Sequence, residues 1–319
     1  LHAAADTAGQ SGPPEHCLAC AGHNFLPDPI VSNDKAMGVP GLHSVYSCVD
    51  CGSGTTTPFV SDENLGELYA DDYASFQDPT VPTGMGWALT AARRTADELV
   101  HRKTPSAHVA GAPGRLLEIG CGGGRVGESY IARGWQVVGI EPSPQAAEMA
   151  SRRGLTVFVG TLGGFEGEPE GFDAALFRHS LEHVVEPRAD LAKTFGLLAP
   201  GGVLMIEIPN FGSWQRKRFK DAWFALGVPT HRSHFTDAGL RAAAESAGFD
   251  VVKTNTGSST VTLAASVQYK LFDRWVPRGK LANILTSLIL LAAFPITWSV
   301  NKVMGGGDVL RLVAVRPAA

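Results

Sequence analysis

The sequence predicts an α/β protein: a doubly wound, seven-stranded sheet preceded by a small four-cysteine zinc ribbon. Three observations predict it. From Arg115 onward, short apolar runs alternate with helical patterns over about 200 residues. A glycine run, Gly120 to Gly124, follows the first of those strands and opens a helix. Four of the five cysteines form two pairs, Cys17-Leu-Ala-Cys20 and Cys48-Val-Asp-Cys51, upstream of the alternating region.

The 319 residues suggest about two domains, one of them small. A hydrophobic fraction of 44 % and a charged fraction of 18 % exclude a disordered chain. With 27 Lys and Arg against 31 Asp and Glu, the net charge is −4. That balance opposes general nucleic-acid binding, which draws on basic surfaces. The 37 glycines cluster at turns, the chemistry of tight loops near a ligand.

Residues 1–14 read as a disordered end. They have neither the basic stretch nor the apolar stretch of a signal peptide. Residues 15–60 read as the ribbon. Its two CxxC knuckles, 27 residues apart, suit a tetrahedral zinc ion on Cys17, Cys20, Cys48 and Cys51. Two disulfides or a redox pair are the alternatives, but a redox CxxC would open a helix. Zinc thiolates imply a reducing, cytoplasmic setting. Residues 61–110 read as a polar helical connector or lid, ending at the Gly111-Ala-Pro-Gly114 turn.

The strands of the main domain are expected at 115–119, 135–140, 155–159, 172–177, 203–208, 249–253 and 308–315. Helices are expected at 126–132, 144–153, 187–198 and 237–247, the second begun by Ser143 and the last capped by Thr236. Ala199-Pro-Gly-Gly202 reads as a tight turn. Ligands of such a sheet bind at the strand C-ends. There Gly120, Gly122 and Gly124 let a ligand approach the backbone, and Glu141 follows about 20 residues on, placed for two ribose hydroxyls. The glycines alone do not separate this reading from a nicotinamide-cofactor site.

The context does. The words LLEIGCGGGRVG (116–127), VVGIEPSP (137–144), FDAALFRHSLEHVVEPRADL (172–191) and LLAPGGVLMIEIPN (197–210) resemble the class I S-adenosylmethionine-dependent methyltransferases. Within that family the chain looks most similar to ubiquinone-type O-methyltransferases and envelope-sugar methyltransferases, and some sugar methyltransferases of the family carry an N-terminal zinc ribbon. The resemblance implies a Rossmann-like sheet whose last hairpin is antiparallel. It implies S-adenosylmethionine as cofactor and S-adenosylhomocysteine as product. It assigns the methionine part to Glu118, Gly120, Cys121, Gly122 and Gly124, and the ribose to Glu141 with Pro142. Thr161 and Leu162 lie near the adenine, and Arg178 closes the set.

His179, Glu182 and His183 stand at i, i+3 and i+4, one face of a helix. His231 and His234 follow strand five, so both segments should converge over the methyl donor. His231 or His234 is the first candidate base and His183 the second, with His179 beside them. The H-x-x-E-H pattern also resembles the E-x-x-E-H metal helix of small-RNA and some quinone O-methyltransferases. That resemblance implies a second divalent metal on His179, Glu182, His183 and His231. A helix cap with a packed histidine is the remaining alternative.

The expected acceptor is a small molecule, sugar- or phosphate-bearing. Arg216-Lys-Arg-Phe-Lys220, with Trp214, Phe219, Trp223 and Phe224, reads as an anion-binding aromatic stretch, a solvated face or core packing. Residues 281–301 carry no charge and lie in a helical insertion at about 257–306. A single crossing would strand the last strand on the wrong side of a membrane. The insertion therefore reads as packing on the body, as a homo-oligomer contact, or as a membrane-surface contact on the inner face. The competing functions are an RNA methyltransferase with a zinc ribbon and methylation of a lipid or quinone-type acceptor.

Overall fold

The computed structural model describes residues 12–37, 39–58, 113–257, 259–274 and 306–318, with isolated positions between 292 and 303. The expected end segment up to residue 11, nearly all of the 61–110 connector and most of the 281–301 run lie outside the described residues.

The ribbon contributes β1 (Ile30–Ser32), β2 (His43–Ser47) and β3 (Gly54–Thr57). The main domain begins with β4 (Arg115–Ile119), α1 (Arg125–Ile131), β5 (Gln136–Glu141), α2 (Pro144–Arg152) and β6 (Thr156–Val159). It continues with β7 (Phe172–Arg178), α3 (Pro187–Leu197), β8 (Leu198–Pro209) and the short α4 (Trp214–Phe219). It ends with β9 (Ser233–His234), α5 (Asp237–Ser246), β10 (Asp250–Gly257), α6 (Thr260–Phe272) and β11 (Val309–Val315). Local chemistry sets the helix starts. Ser143, Ser213 and Thr236 each accept a backbone N–H three residues on, at 3.3, 3.1 and 3.2 Å.

Seven strands lie in the order β10-β11-β8-β7-β4-β5-β6. Strands β4 to β8 pair in parallel, and β11 is antiparallel to both its neighbours. The fold is therefore the expected Rossmann-like sheet with an antiparallel last hairpin. A parallel sheet must be covered on both faces, and its strands read as continuous apolar runs for that reason. On one face Leu117, Ile119, Ala175, Phe177, Leu204 and Ile206 pack in one buried cluster with Leu191, Leu240 and Ala243. On the other, Leu116, Ala174, Leu176 and Met205 pack with Tyr130, Trp135 and Leu155.

The ribbon is not a separate bead. Cys17, Ala19 and Cys48 belong to the first of these clusters. A second sheet, β1-β2-β3-β9, joins ribbon strands to a strand of the main domain, with Gly54 opposite His234 and Thr55 opposite Ser233.

Two expectations need correction. The Ala199 to Gly202 turn is absorbed into β8 as an irregularity, because Gly201 donates its N–H to Arg316 and Gly202 accepts from Arg316. Residues 179–183 are not a helix. His179 has φ 52°, and Ser180 turns its hydroxyl onto the Ile119 carbonyl at 2.6 Å, so the chain makes only a tight turn. Of the readings open for the aromatic stretch around α4, core packing holds for Phe219 and Trp223, which are buried with Phe211 and Val45, while Arg216 lies 4.0 Å from the Phe211 ring centroid. Among the described residues no helix is long and apolar enough to cross a membrane.

Candidate active site

The candidate cofactor cradle forms where β4 turns into α1. Gly120, Gly122 and Gly124 all have positive φ, at 73°, 51° and 78°. A Cβ on Gly120 would stand 2.5 Å from Cβ of Ser180, and one on Gly124 would stand 2.7 Å from Ala150. At Gly122 the same Cβ would meet nothing within 4 Å. Two glycines thus close the turn against the protein, and the third borders space that no described residue fills, the shape a bound ligand needs. Glu141 ends β5 beside it. Its two carboxylate oxygens accept the N–H groups of Gly122 at 2.8 Å and Ser143 at 2.9 Å. Those bonds fix the carboxylate and leave it further lone pairs for ribose hydroxyls. Burial nevertheless raises its pKa.

Glu118 lies beneath the loop, 3 % exposed, with one carboxylate oxygen bonded to nothing. Burial pushes its pKa up to about 8, against the pull of the Arg178 guanidinium. A buried acid with an open acceptor fits the amino group of the methionine part. The set as a whole therefore fits S-adenosylmethionine. Thr161 and Leu162 begin the turn after β6, Leu162 buried and Thr161 exposed, and Pro142 is exposed beside Glu141. Cys121 differs from expectation. Its side chain packs down against Gly139 and its N–H goes to Ile140, so neither is offered to a ligand.

The four ribbon cysteines converge. Cys17 and Cys51 sulfurs are 3.7 Å apart and those of Cys20 and Cys48 are 3.6 Å apart. Those distances exclude disulfides, which need about 2.05 Å. They match the edges, about 3.8 Å, of a tetrahedron with zinc–sulfur bonds of about 2.3 Å. The hydrogen bond from the Cys17 thiol holds Cys51 down at about 5. The donor set is that of a structural zinc ribbon.

The third group is the histidine seam. The turn after β7 supplies Glu182 and His183, and the segment before β9 supplies His231; their donor atoms all lie within 4.8 Å of one another. Glu182 is 2 % exposed, and among the described residues neither of its carboxylate oxygens has a hydrogen-bond partner. Burial opposes its charge, but the neighbouring His179 outweighs that and holds it at about 2. Nδ1 of His183 donates to the Thr230 carbonyl at 3.1 Å, and Nδ1 of His231 donates to Ala225 at 3.0 Å. In neutral rings this leaves Nε2 as the lone-pair nitrogen. Burial lowers both pKa values, that of His231 to about 3, so both rings are neutral. Carbonyl-anchored imidazoles beside an unbonded carboxylate are the usual setting of a metal ligand set.

His179 stands at the rim, nearly half exposed, 3.6 Å from Glu182 and 3.7 Å from Glu207. His234 does not join the cluster through Nε2, which lies 2.8 Å from the Thr56 hydroxyl. Arg178 is bonded to Glu207 at 3.0 Å. Glu207 and Arg311, 2.5 Å apart, extend this chain of charges to the last strand, and sequence reasoning missed both. Burial opposes ionisation of Glu207, but Arg311 and Arg178 outweigh it and hold the acid at about 2. Both residues interrupt apolar strands, which was the available signal. Thr56 was missed as well, and nothing in the sequence marks it.

A family model for a methyltransferase domain matches residues 90–254, just over half of the chain. The chain belongs to that methyltransferase family. Its fold is that of the class I S-adenosylmethionine-dependent methyltransferases. The chain is 35 % identical over 112 residues to a ubiquinone biosynthesis O-methyltransferase of Xanthomonas oryzae pv. oryzae (strain PXO99A), a match over 33 % of this chain and 47 % of the relative. A protein of the same description from Cereibacter sphaeroides (strain ATCC 17029 / ATH 2.4.9) is 35 % identical over 102 residues, 30 % of this chain and 41 % of the relative. The methyltransferase thus spans about half the length of the curated relatives it matches. A solved structure of the 1,6-didemethyltoxoflavin-N1-methyltransferase of Burkholderia thailandensis is 20 % identical, with a TM-score of 0.44 over 86 % of this chain and 96 % of that one. The phosphoethanolamine N-methyltransferase 2 of Haemonchus contortus is 17 % identical, with a TM-score of 0.49 over 83 % of this chain and 62 % of that one.

Proposed function

We propose that the chain transfers a methyl group from S-adenosylmethionine to a hydroxyl of a small molecule, and that Glu182, His183 and His231 receive that hydroxyl. The observation that carries this is the buried Glu182 carboxylate, without a hydrogen-bond partner among the described residues, within 4.8 Å of two histidine donor atoms. S-adenosylmethionine, when bound, supplies an electrophilic methyl group on a positively charged sulfur. Glu118, Gly120, Gly122, Gly124 and Glu141 hold it at the C-ends of β4 and β5. The chain's task is then to bring an acceptor oxygen to near-attack distance and to accept its proton.

Two neutral imidazoles and a carboxylate suit a divalent cation, and a hydroxyl beside such an ion loses its proton more readily. This is the reading we favour, with His179 as a fourth ligand at the rim. The second reading needs no ion: a lone-pair nitrogen of His183 or His231 takes the proton directly. In this reading the ribbon holds zinc on Cys17, Cys20, Cys48 and Cys51, and such thiolates suit a reducing, cytoplasmic setting.

The acceptor we propose is a sugar-bearing or secondary metabolite. A quinone-type acceptor is the second reading, because the relatives matched over the cofactor region are described as ubiquinone biosynthesis O-methyltransferases. The charge of −4 opposes an RNA substrate. The test is label from methyl-labelled S-adenosylmethionine incubated with fractionated extract. Label in hydroxyl-bearing small molecules, lost on chelation and restored by manganese or zinc, supports the cation reading. Transfer indifferent to chelation leaves the histidine base. Label confined to RNA contradicts both.

A further inference from the structure

Among the polar contacts between the ribbon and the main domain, one reaches the histidine segment. Thr56, on β3, donates its hydroxyl to the His231 carbonyl at 2.7 Å. A threonine hydroxyl has one proton, and a carbonyl can only accept it. The same oxygen lies 2.8 Å from Nε2 of His234, so that nitrogen must be the donor. His234 is therefore the Nε2–H tautomer. The backbone locks the same seam: Thr56 N–H donates to Arg232 at 3.0 Å, while Arg232 and Ser233 donate to the Glu182 carbonyl at 2.8 and 3.1 Å. The segment carrying His231 is thus held between a ribbon strand and the Glu182 turn.

The ribbon side of this clamp is tied to the cysteine knuckle. Thr236 donates its hydroxyl to the Cys51 carbonyl at 2.6 Å, and Ser53 accepts the Thr236 N–H at 3.1 Å. Thr56 and His234 are both buried, so water cannot substitute for the lost partner when one is removed.

We propose that Thr56 is a positioning residue for the histidine site, by which the four-cysteine ribbon sets the register of His231 against Glu182 and His183. This rests on the reading of those three residues as the centre that receives the acceptor. Thr56 acts through the carbonyl of His231 and the ring of His234.

The experiment uses the full, zinc-loaded chain labelled with nitrogen-15 in histidine, with the His234 ring assigned by His234→Gln. Wild type should show His234 with its proton on Nε2. Thr56→Val should shift the His234 and His231 ring signals and weaken cobalt(II) binding outside the ribbon about tenfold, the lower range for residues behind metal ligands. Zinc content and affinity for S-adenosylhomocysteine should stay within twofold, and Thr56→Ser should restore the wild-type signals. Wild-type His234 protonated on Nδ1, or ring signals unmoved in Thr56→Val, would overturn the proposal. If Thr56→Val loses zinc and fails to fold, the wild-type tautomer and Thr56→Ser decide it. Absence of cobalt binding outside the ribbon in wild type would contradict the cation reading instead, and the ring signals alone would then decide the positioning role.

Discussion

The cofactor cradle and the histidine seam are built in opposite ways. The cradle is local: one turn, Gly120 to Gly124, and one carboxylate, Glu141, on the next strand, with backbone amides doing the orienting. The seam is non-local: the turn at Glu182, the segment at His231 and a ribbon strand at Thr56 meet from three distant stretches. The difference teaches where robustness lies. A cradle made of backbone tolerates change elsewhere. A seam made of side chains from three segments depends on every one of them.

The comparison can be broken most severely at Gly120. Gly120→Val would force a branched side chain into φ 73° and against Ser180. Binding of S-adenosylhomocysteine by calorimetry should become undetectable. Affinity equal to wild type would remove the loop from the cofactor site. Next in size is Glu182→Gln, which takes the only carboxylate out of the proposed ligand set. Manganese or cobalt affinity and methyl transfer should both fall by more than about 100-fold, the upper range for residues behind the ligands. Affinity for S-adenosylhomocysteine should hold, since the cradle does not use Glu182. Parallel loss of both would mean that the two regions are one cooperative unit.

Zinc removal sharpens the same contrast. Cys48→Ser should release the ion, lower the melting temperature and disturb the histidine ring signals, while the cradle still binds S-adenosylhomocysteine within a few-fold. Unchanged histidine signals in the zinc-free protein would uncouple ribbon from seam. A smaller effect is expected for Glu141→Gln. It keeps the shape but loses the charge, and hydrogen bonds to charged groups are worth about 1.5–3 kcal/mol. Affinity should fall roughly 10- to 100-fold, with no change in manganese binding.

A further effect is a pH slope. Glu118 folds with its pKa raised from 4.5 to about 8, so the folded state holds a proton that the unfolded state releases. That contribution is complete below about 4.5 and is lost as pH rises through about 8. Free protein should therefore lose stability across that window, and Glu118→Gln should flatten the slope. Binding of the cationic amino group at pH 7 should also expel a proton, which calorimetry in buffers of different ionisation enthalpy would count. A slope unchanged in Glu118→Gln would remove this residue as its source.

The cradle was legible in the sequence because its determinants are adjacent. A strand, a glycine turn and an acid at the next strand end are read from one stretch, and β4 to β8 follow from their apolar runs. The cysteine knuckles were legible for the same reason. The seam was legible only in its parts. His179, Glu182 and His183 have helical spacing, but the Ser180 hydroxyl takes the Ile119 carbonyl and His179 enters positive φ, so they share a turn instead. His234 looked equivalent to His231, yet its Nε2 is committed to Thr56. Strand β9 is two residues long and pairs with Gly54 and Thr55, far outside any sequence window. Contacts of that kind leave no periodicity to read.

The most direct measurement compares methyl transfer by wild type and Glu182→Gln, using methyl-labelled S-adenosylmethionine and fractionated extract, with S-adenosylhomocysteine affinity measured on both. The account predicts label on small-molecule hydroxyls with wild type, and its near-complete loss in Glu182→Gln at unchanged cofactor affinity. Undiminished transfer by Glu182→Gln, or label found in RNA alone, would contradict it.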